Sequence, residues 1–252
     1  MKTVVFGDIH GRTCWKDIIN REHPDKVVFL GDYVSSHESF SAKEQIANFE
    51  AILELKENNI NDVVLLRGNH DMQHLMGNED SFECSGFFPM VGSWCQKNYE
   101  RIMKNTQWVF IDGKYMFSHA GISETWFNDV PVEKYEDINK LPPSELFGFR
   151  PNSIWDMYGD TKTQGLTWIR PQALARDTIV GYTQFVGHTV VDKIVDMQQS
   201  VRQKQHIILC DCLPRQYVVI TDGKFKIVAN ENNAKPKRDS DNSGKDKRGQ
   251  KP

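Results

Sequence analysis

The sequence has no long apolar run. None of its stretches approaches the roughly 20 consecutive apolar residues that a membrane-spanning helix needs, although the chain has 252 residues. The first residues form a short apolar run typical of a strand, and they lack the charged region and apolar core of a signal peptide. We therefore expect a cytoplasmic protein without a membrane partner.

Cysteine is scarce, and neither sign of charge dominates. The five cysteines are odd in number and none has Cys-x-x-Cys spacing, which argues against a disulfide framework or a zinc ribbon. We expect them to be free thiols. A formal net charge of -3 gives no overall electrostatic case for binding nucleic acid, so nucleic acid is not an expected partner.

Length and composition fit one globular domain, which we expect over residues 1–230. Glycines, prolines and aromatic residues interrupt the pattern near 72–108 and 123–164. We expect these two insertions to lie over a functional site, with their aromatic side chains in a hydrophobic cluster rather than against a substrate. Residues 231–252 are charged and almost without apolar side chains, and we expect a disordered tail.

Five short apolar runs each end at a glycine-containing polar motif. Each run has the length and composition of a buried strand, and each motif places Asp, His or Asn at the carboxyl end of that strand. Strand ends of one sheet can converge on a single site. The five motifs are Gly7-Asp8-Ile9-His10-Gly11, Gly31-Asp32-Tyr33, Gly68-Asn69-His70-Asp71, Ser118-His119-Ala120-Gly121 and Gly187-His188-Thr189.

Other local signals predict helices and a hairpin. Thr13 is a candidate cap for a first helix, and Ser41 and Glu44 have the spacing of a capping box for a second. A further helix is predicted from about residue 93 to 105. Two apolar runs flank Thr221-Asp222-Gly223-Lys224, which predicts an antiparallel hairpin, and a second sheet that is antiparallel in part is expected.

The motifs supply carboxylate, imidazole and amide donors. Asp8 and His10 are two positions apart, so an extended loop would direct both side chains to one ion. Asp32 can bridge two ions. The neutral donors are Asn69, His119 and His188. This set suits Mn, Fe or Zn in a reactive site better than a structural zinc site. Two ions about 3.5–4 Å apart can activate a bridging hydroxide and bind phosphate oxygens.

His70 follows Asn69 directly and would point the other way in an extended loop. It is therefore a candidate general acid that protonates a leaving oxygen. Any one motif alone is better explained as a loop residue held by hydrogen bonds. Five motifs in this order, each behind a strand, favour a metal site.

Together the motifs, from Gly7 to Thr189, resemble those of the calcineurin-like metallophosphoesterases. The resemblance is strongest to the bacterial and phage phosphoprotein phosphatases, a branch that includes serine/threonine phosphatases and symmetrical diadenosine tetraphosphate hydrolases. It implies an α/β fold in which two mixed β-sheets pack as a sandwich flanked by helices. It also implies a phosphoesterase with two divalent metal ions, for which we expect Mn²⁺, with Fe or Zn as alternatives.

The resemblance assigns roles to individual residues. The implied ligands of the first ion are Asp8, His10 and Asp32, and those of the second are Asp32, Asn69, His119 and His188. His70 takes the position of the acid. Asn69 and Arg170 are the implied substrate-binding residues, and Arg170 lies in a Thr167-Trp168-Ile169-Arg170 segment that resembles a phosphate-binding segment of bacterial members. A surface ion pair is the alternative for Arg170.

The second motif departs from the branch pattern Gly-Asp-x-Val-Asp-Arg-Gly. Ser35 stands where an aspartate orients the acid histidine, and Ser36 stands where an arginine binds phosphate. A hydroxyl can accept a hydrogen bond from imidazole but cannot raise its pKa through charge. His37 is a candidate to replace part of the lost positive charge, with plain exposure as the alternative.

Three functions remain open at this stage. The first is a phosphomonoesterase of the serine/threonine protein phosphatase type, acting on a phosphorylated protein or a small-molecule phosphoester. The second is hydrolysis of a dinucleoside polyphosphate or a nucleotide phosphodiester. The third is a non-catalytic metal-binding scaffold, which the altered second motif and the charged tail would permit.

Overall fold

Two five-stranded mixed sheets form the centre of the protein, as the resemblance implied. The computed structural model describes residues 1–36, 38–58, 62–77, 82–150, 158–198 and 206–231. In spatial order, the first sheet contains β10 (Lys224–Ala229), β9 (Gln216–Thr221), β1 (Lys2–Phe6), β2 (Lys26–Phe29) and β3 (Asp62–Leu65). The second contains β4 (Val109–Asp112), β5 (Tyr115–Ser118), β6 (Thr183–Val186), β8 (His206–Leu209) and β7 (Val195–Gln198).

Each sheet combines three parallel strands with two strands that pair in antiparallel fashion. Strands β1, β2 and β3 are parallel, and β9 and β10 join them as an antiparallel hairpin. Strands β5, β6 and β8 are parallel, with β4 and β7 antiparallel at the edges. The hairpin turn has Asp222 at φ 49° and Gly223 at φ 70°, the left-handed pair that a tight two-residue hairpin requires. The predicted hairpin is confirmed, and it extends the first sheet.

The helices flank this core. They are α1 (Cys14–Glu22), α2 (Ala42–Glu57), α3 (Asn69–Met76), α4 (Pro89–Lys97), α5 (Tyr99–Asn105), α6 (Glu124–Asp129), a 3₁₀ helix (Tyr135–Lys140) and α7 (Pro171–Ala175). The capping box of α2 is confirmed, because the Glu44 amide donates to Ser41 Oγ and the Ser41 amide donates to Glu44 Oε2. Among the described residues, no helix has the length and apolarity to cross a membrane.

Two predictions about helix ends are wrong. Thr13 precedes α1 but its side chain caps nothing, because its backbone (φ -101°, ψ 0°) is not in the extended conformation that a capping hydroxyl needs. The helix predicted over 93–105 is two helices that meet at Asn98. The side chain of Asn98 donates to the carbonyl of Trp94, which competes with the regular helical ladder at that point.

Strand residues alternate between two apolar layers. Val5 and Val28 face the second sheet, where they pack with Phe185, whereas Val4 and Phe29 belong to the larger cluster that includes the helices. This alternation follows from the two-residue period of a strand, and burial on both faces explains why the strands read as continuous apolar runs.

The insertions contribute mostly to the core. Phe82, Trp108, Trp126 and Phe147 are fully buried, and the rings of Trp108 and Phe147 stack with centroids 4.1 Å apart. These four side chains belong to the main hydrophobic core, whereas Phe87 of the first insertion and Tyr158 of the second are exposed, so the expected cluster is found only in part. Parts of both insertions, residues 78–81 and 151–157, lie outside the described residues, as do His37 and residues 232–252. The domain limits and the disordered tail therefore stay predictions.

Candidate active site

Loops from both sheets meet at one end of the sandwich. The loops after β1, β2 and β3 come from the first sheet, and those after β5 and β6 come from the second. The expectation that all five ends belong to one sheet is therefore wrong. The two sheets are held close here, since a Cβ atom on Gly31 would lie 2.7 Å from the Gly68 nitrogen and 3.0 Å from His119 Nδ1. The site needs glycine at position 31 for this approach.

Asp32 occupies the centre of the site and is almost fully buried. Its Oδ2 atom lies 3.8 Å from His10 Nε2 and 3.4 Å from His119 Nε2. Its Oδ1 atom accepts a hydrogen bond of 3.0 Å from the amide of His70. One carboxylate thus faces an imidazole on either side, which is the geometry a bridging ligand requires.

Asp8 and His10 converge, although not through an extended loop. His10 has a left-handed backbone (φ 45°), and its Nε2 atom lies 3.9 Å from Asp8 Oδ2. Its Nδ1 atom donates to the carbonyl of Val34 at 2.8 Å, so Nε2 carries the lone pair in the neutral ring. The Asp8 carboxylate accepts from the amide of His188 at 3.0 Å.

Asn69, His119 and His188 form a second group beside Asp32. Asn69 Oδ1 lies 3.0 Å from His119 Nε2 and 3.0 Å from His188 Nδ1. His119 is fully buried and its Nδ1 atom donates to the carbonyl of Leu30 at 2.8 Å. In the neutral ring, Nε2 therefore directs a lone pair at the oxygens of Asn69 and Asp32. The lone pairs of these nitrogen and oxygen atoms repel one another unless a proton or a cation lies between them.

The carboxylates of the site raise the pKa of His119. Burial alone would lower its pKa, but the carboxylates of Asp32 and Asp8 outweigh burial and raise the pKa of His119 to about 10. Two groups of side chains, His10 with Asp32 and His70, and Asp8 with Asp32 and His119, each bring their donor atoms within 4.8 Å of one another. Asp32 belongs to both groups, which makes it a candidate to bridge two ions.

His70 lies in the first turn of α3 rather than in an extended loop. Successive helical residues point about 100° apart, so Asn69 and His70 still diverge as expected. The His70 Nδ1 atom lies 3.4 Å from the sulfur of Cys84, whose thiol donates to Gln73 Oε1 at 3.0 Å. Sequence reasoning missed Cys84, because it lies 14 residues further along the chain in the first insertion.

The serines of the second motif do not take over the missing functions. Ser35 is fully buried in a left-handed conformation, and its hydroxyl has no hydrogen-bond partner among the described residues. The hydrogen bond that such a hydroxyl can accept from imidazole is therefore not formed by Ser35 among the described residues. Ser36 Oγ accepts from the amide of Glu38 at 3.0 Å. His37 lies outside the described residues.

Arg170 lies in the wall of the site. Its Nε atom donates to the carbonyl of Tyr158 at 3.1 Å, and another nitrogen lies 3.3 Å from Thr189 Oγ1 and 3.5 Å from the carbonyl of His188. Within the part of the chain that the structure describes, Arg170 forms no ion pair. The surface ion pair considered for it is thus not found there, and its charge faces the cavity.

A cavity of about 720 Å³ opens above these groups. Besides the predicted residues, it is lined by Arg12, Trp168 and Asp211. Arg12 is paired with Glu38 at 2.7 Å. Asp211 follows β8 just as Asp8 follows β1, and the pattern of an apolar run ending in a carboxylate was the signal that could have identified it. Burial and then the charge of Asp211 raise the pKa of Asp8.

A sandwich of two mixed sheets, with carboxylate, imidazole and amide donors at adjoining strand ends, is the arrangement of a metal-dependent hydrolase. Residues 1–192 match the family model of the calcineurin-like phosphoesterases. The chain belongs to this family, whose members use a dinuclear divalent metal centre, and it is a metal-dependent phosphoesterase.

Solved structures resemble the chain in fold. A cold-active protein-tyrosine phosphatase from a psychrophilic Shewanella species has a TM-score of 0.63 at 14% identity, covering 90% of this chain and 77% of that one. A protein serine/threonine phosphatase from Saccharomyces cerevisiae has a TM-score of 0.53 at 15% identity, covering 91% and 80%. No curated protein sequence matches the chain significantly. At these identities the likeness concerns the fold alone.

Proposed function

We propose that the protein is a phosphomonoesterase of the protein phosphatase type that works with two divalent ions, Mn²⁺ in the first place and Fe or Zn as alternatives. The observation that carries this proposal is the convergence of lone-pair donors on both sides of Asp32. The proposed ligands are Asp8, His10 and Asp32 for the first ion, and Asp32, Asn69, His119 and His188 for the second.

The residues present fit two cations. His10 and His119 each donate Nδ1 to a backbone carbonyl, which leaves Nε2 to bind an ion, the arrangement usual for metal-binding imidazoles. The Nε2 atom of His188 is buried without a hydrogen-bond partner among the described residues. When bound, two such ions activate a water for in-line attack on phosphorus and offset the charge of the phosphate.

The protein side chains do the remaining work. Arg170 faces the cavity with its guanidinium close to Thr189, and we assign it to binding phosphate oxygens together with the amide of Asn69. His70 stands at the cavity edge beside His10, with ring centroids 5.2 Å apart, and we assign it to donating a proton to the leaving oxygen. The thiol of Cys84 lies beside the Nδ1 atom of His70, where it takes the place of the orienting carboxylate that Ser35 cannot supply.

The cavity lining favours a monoester over a nucleotide. Among the described residues that line it, Trp168 is the only Phe, Tyr or Trp, and its ring already packs against His188 and Phe149. Phe82, Trp108, Trp126 and Phe147 are in the core and cannot stack a base. Phe87 and Tyr158 are exposed but are not among the described residues that line the cavity. The site therefore recognises phosphate through charge, and it offers little surface to a nucleoside.

Turnover tests the proposal directly. Metal-stripped protein should hydrolyse p-nitrophenyl phosphate when Mn²⁺ is added and remain inactive without metal, and bis-p-nitrophenyl phosphate should be the poorer substrate. His70→Asn should lower the rate about 10²–10⁴-fold, the usual contribution of a general acid. His23→Asn is the matched control, because His23 is exposed at the end of α1 with a left-handed backbone that asparagine tolerates.

Each other outcome selects an alternative. Faster cleavage of the diester, or of diadenosine tetraphosphate, would replace the monoesterase with the second function. Metal binding without turnover of any of these esters would favour the scaffold. Absence of metal binding in the intact protein would refute the dinuclear site itself.

A further inference from the structure

We propose that Asp211 is a further metal-supporting residue, a third carboxylate that acts on the first ion through a bound water, beside Asp8 and Asp32. This inference rests on the proposed two-metal function, and it adds a residue that none of the five motifs contains. It follows from where the backbone places Asp211, from its burial, and from the partners its carboxylate lacks.

The backbone around Asp211 packs directly against the first motif, at Gly7. A Cβ atom on Gly7 would lie 2.2 Å from the carbonyl oxygen of Cys210 and 3.1 Å from the Cα atom of Asp211. The amide of Cys210 donates to Val186 at 2.7 Å, and the amide of Val191 donates to the Asp211 carbonyl at 2.9 Å. These contacts fix Asp211 next to the residue that precedes Asp8.

The carboxylate of Asp211 is buried without adequate compensation. Its residue is 4% exposed, and Oδ2 has no hydrogen-bond partner among the described residues. Its strongest charge partner is His10, and Asp32 is the next neighbour in charge effect. A buried carboxylate is costly unless it is paired or binds a metal, and here two other carboxylates share its surroundings.

The cations nearby are engaged elsewhere. The charge of Arg12 acts to lower the pKa of Asp211, but both the Nε atom and a terminal nitrogen of Arg12 contact Glu38 at 2.7 Å. His10 donates its Nδ1 proton to Val34. Asp211 lies outside the two groups of side chains whose donor atoms come within 4.8 Å of one another. A divalent ion between His10, Asp8 and Asp32 would therefore supply the missing positive charge to Asp211 through a bound water.

Adding Asp211 changes the character of the first ion's surroundings. Three carboxylates and one imidazole form an oxygen-rich set, whereas the second ion has two imidazoles, an amide and the shared carboxylate. Oxygen-rich sets suit hard ions such as Mn²⁺ and Mg²⁺, and imidazole-rich sets suit Zn²⁺. Asp211 should therefore bias the first position toward Mn²⁺.

Metal binding itself, rather than activity, tests the inference. Titration of metal-stripped protein with Mn²⁺ should show two ions per chain for the natural sequence. Asp211→Asn should weaken one of the two by about 10–100-fold, the usual effect of removing a carboxylate that supports a metal, and should weaken Mn²⁺ more than Zn²⁺. Asp192→Asn is the matched control, because Asp192 has a fully exposed side chain.

Thermal unfolding separates metal binding from folding. Without metal, Asp211→Asn should be at least as stable as the natural sequence, because it removes an uncompensated buried charge, while the stabilisation by Mn²⁺ should shrink. Asp211→Ser should behave in the same way. Unchanged affinity for both ions in these variants would overturn the role of Asp211 and leave the proposed function intact. Failure of the natural sequence to bind Mn²⁺ would overturn both.

Discussion

Removal of the Cys84 thiol should slow the reaction in a way that depends on the leaving group. The Cys84 sulfur lies 3.4 Å from His70 Nδ1, and its own proton goes to Gln73. Sulfur can therefore accept from Nδ1, which leaves the other ring nitrogen of His70 to serve as the acid. A hydrogen bond of this kind contributes about 0.5–1.5 kcal/mol net, so Cys84→Ala should lower kcat by roughly 2–12-fold.

The assay compares two esters on the same variants. Phenyl phosphate has a poorer leaving group than p-nitrophenyl phosphate and depends more on protonation, so Cys84→Ala should lower kcat more for phenyl phosphate. KM and Mn²⁺ content should stay unchanged, and Cys84→Ser should recover part of the loss. Cys95→Ala is the matched control, since Cys95 is a buried thiol of the same insertion that belongs to the hydrophobic core.

Two results would refute this reasoning. If Cys84→Ala slowed both esters equally, the thiol would act through general packing rather than through His70. If Cys95→Ala produced the same dependence on the leaving group, the effect would belong to the insertion as a whole.

Four further predictions concern the metals, the phosphate and the stability of the protein. Asp32→Asn should remove both ions and abolish turnover, and elemental analysis showing two retained ions would contradict the bridging role. Arg170→Ala should raise KM for p-nitrophenyl phosphate about tenfold, which corresponds to the loss of one charged hydrogen bond of roughly 1.4 kcal/mol. Arg176→Ala is the control and should leave KM unchanged, because Arg176 donates to the carbonyl of Asp160. The pKa of His119 is raised to about 10, so a proton must leave this imidazole before an ion can bind. Mn²⁺ affinity should therefore rise by up to about tenfold per pH unit between about pH 6 and 8.5. For the same reason the metal-free protein should lose stability as pH rises from 6.5 toward about 10, and a melting temperature that increased over this range would contradict it.

The sequence predicted the five strands that precede the site motifs because each is buried on both faces. Runs such as Val27-Val28-Phe29 need no context to be recognised, and the motif behind each run marks where the strand ends. The edge strands β4 and β7 escaped prediction. The apolar run of β4 leads into no site motif, and its residues Phe110, Ile111 and Asp112 are partly exposed. Strand β7 has the sequence Val-Asp-Met-Gln and lacks an apolar run altogether.

The predicted site residues were found together because each motif carries its own signal. Cys84 carries none, and Asp211 has only the apolar run of β8 before it, because a single cysteine or aspartate acquires its meaning from what the fold brings beside it. The contact between Cys84 and His70 depends on the path of the first insertion, and the approach of Asp211 to Asp8 depends on the pairing of β8 within the second sheet. Neither can be inferred from spacing along the chain.

Asp71 and Asp211 show how hydrogen bonds distinguish a structural carboxylate from one that awaits a cation. Both are buried, and burial raises the pKa of both. Asp71 accepts from the amides of Asp32, Tyr33 and Gly68 at 2.8–2.9 Å, so its charge is stabilised by the loops that it joins. Asp211 has no such donors at Oδ2 among the described residues. An unsatisfied buried carboxylate destabilises the folded protein, and selection for stability alone would replace it. The favourable interaction that compensates for the buried Asp211 carboxylate must therefore come from the cations that the site binds.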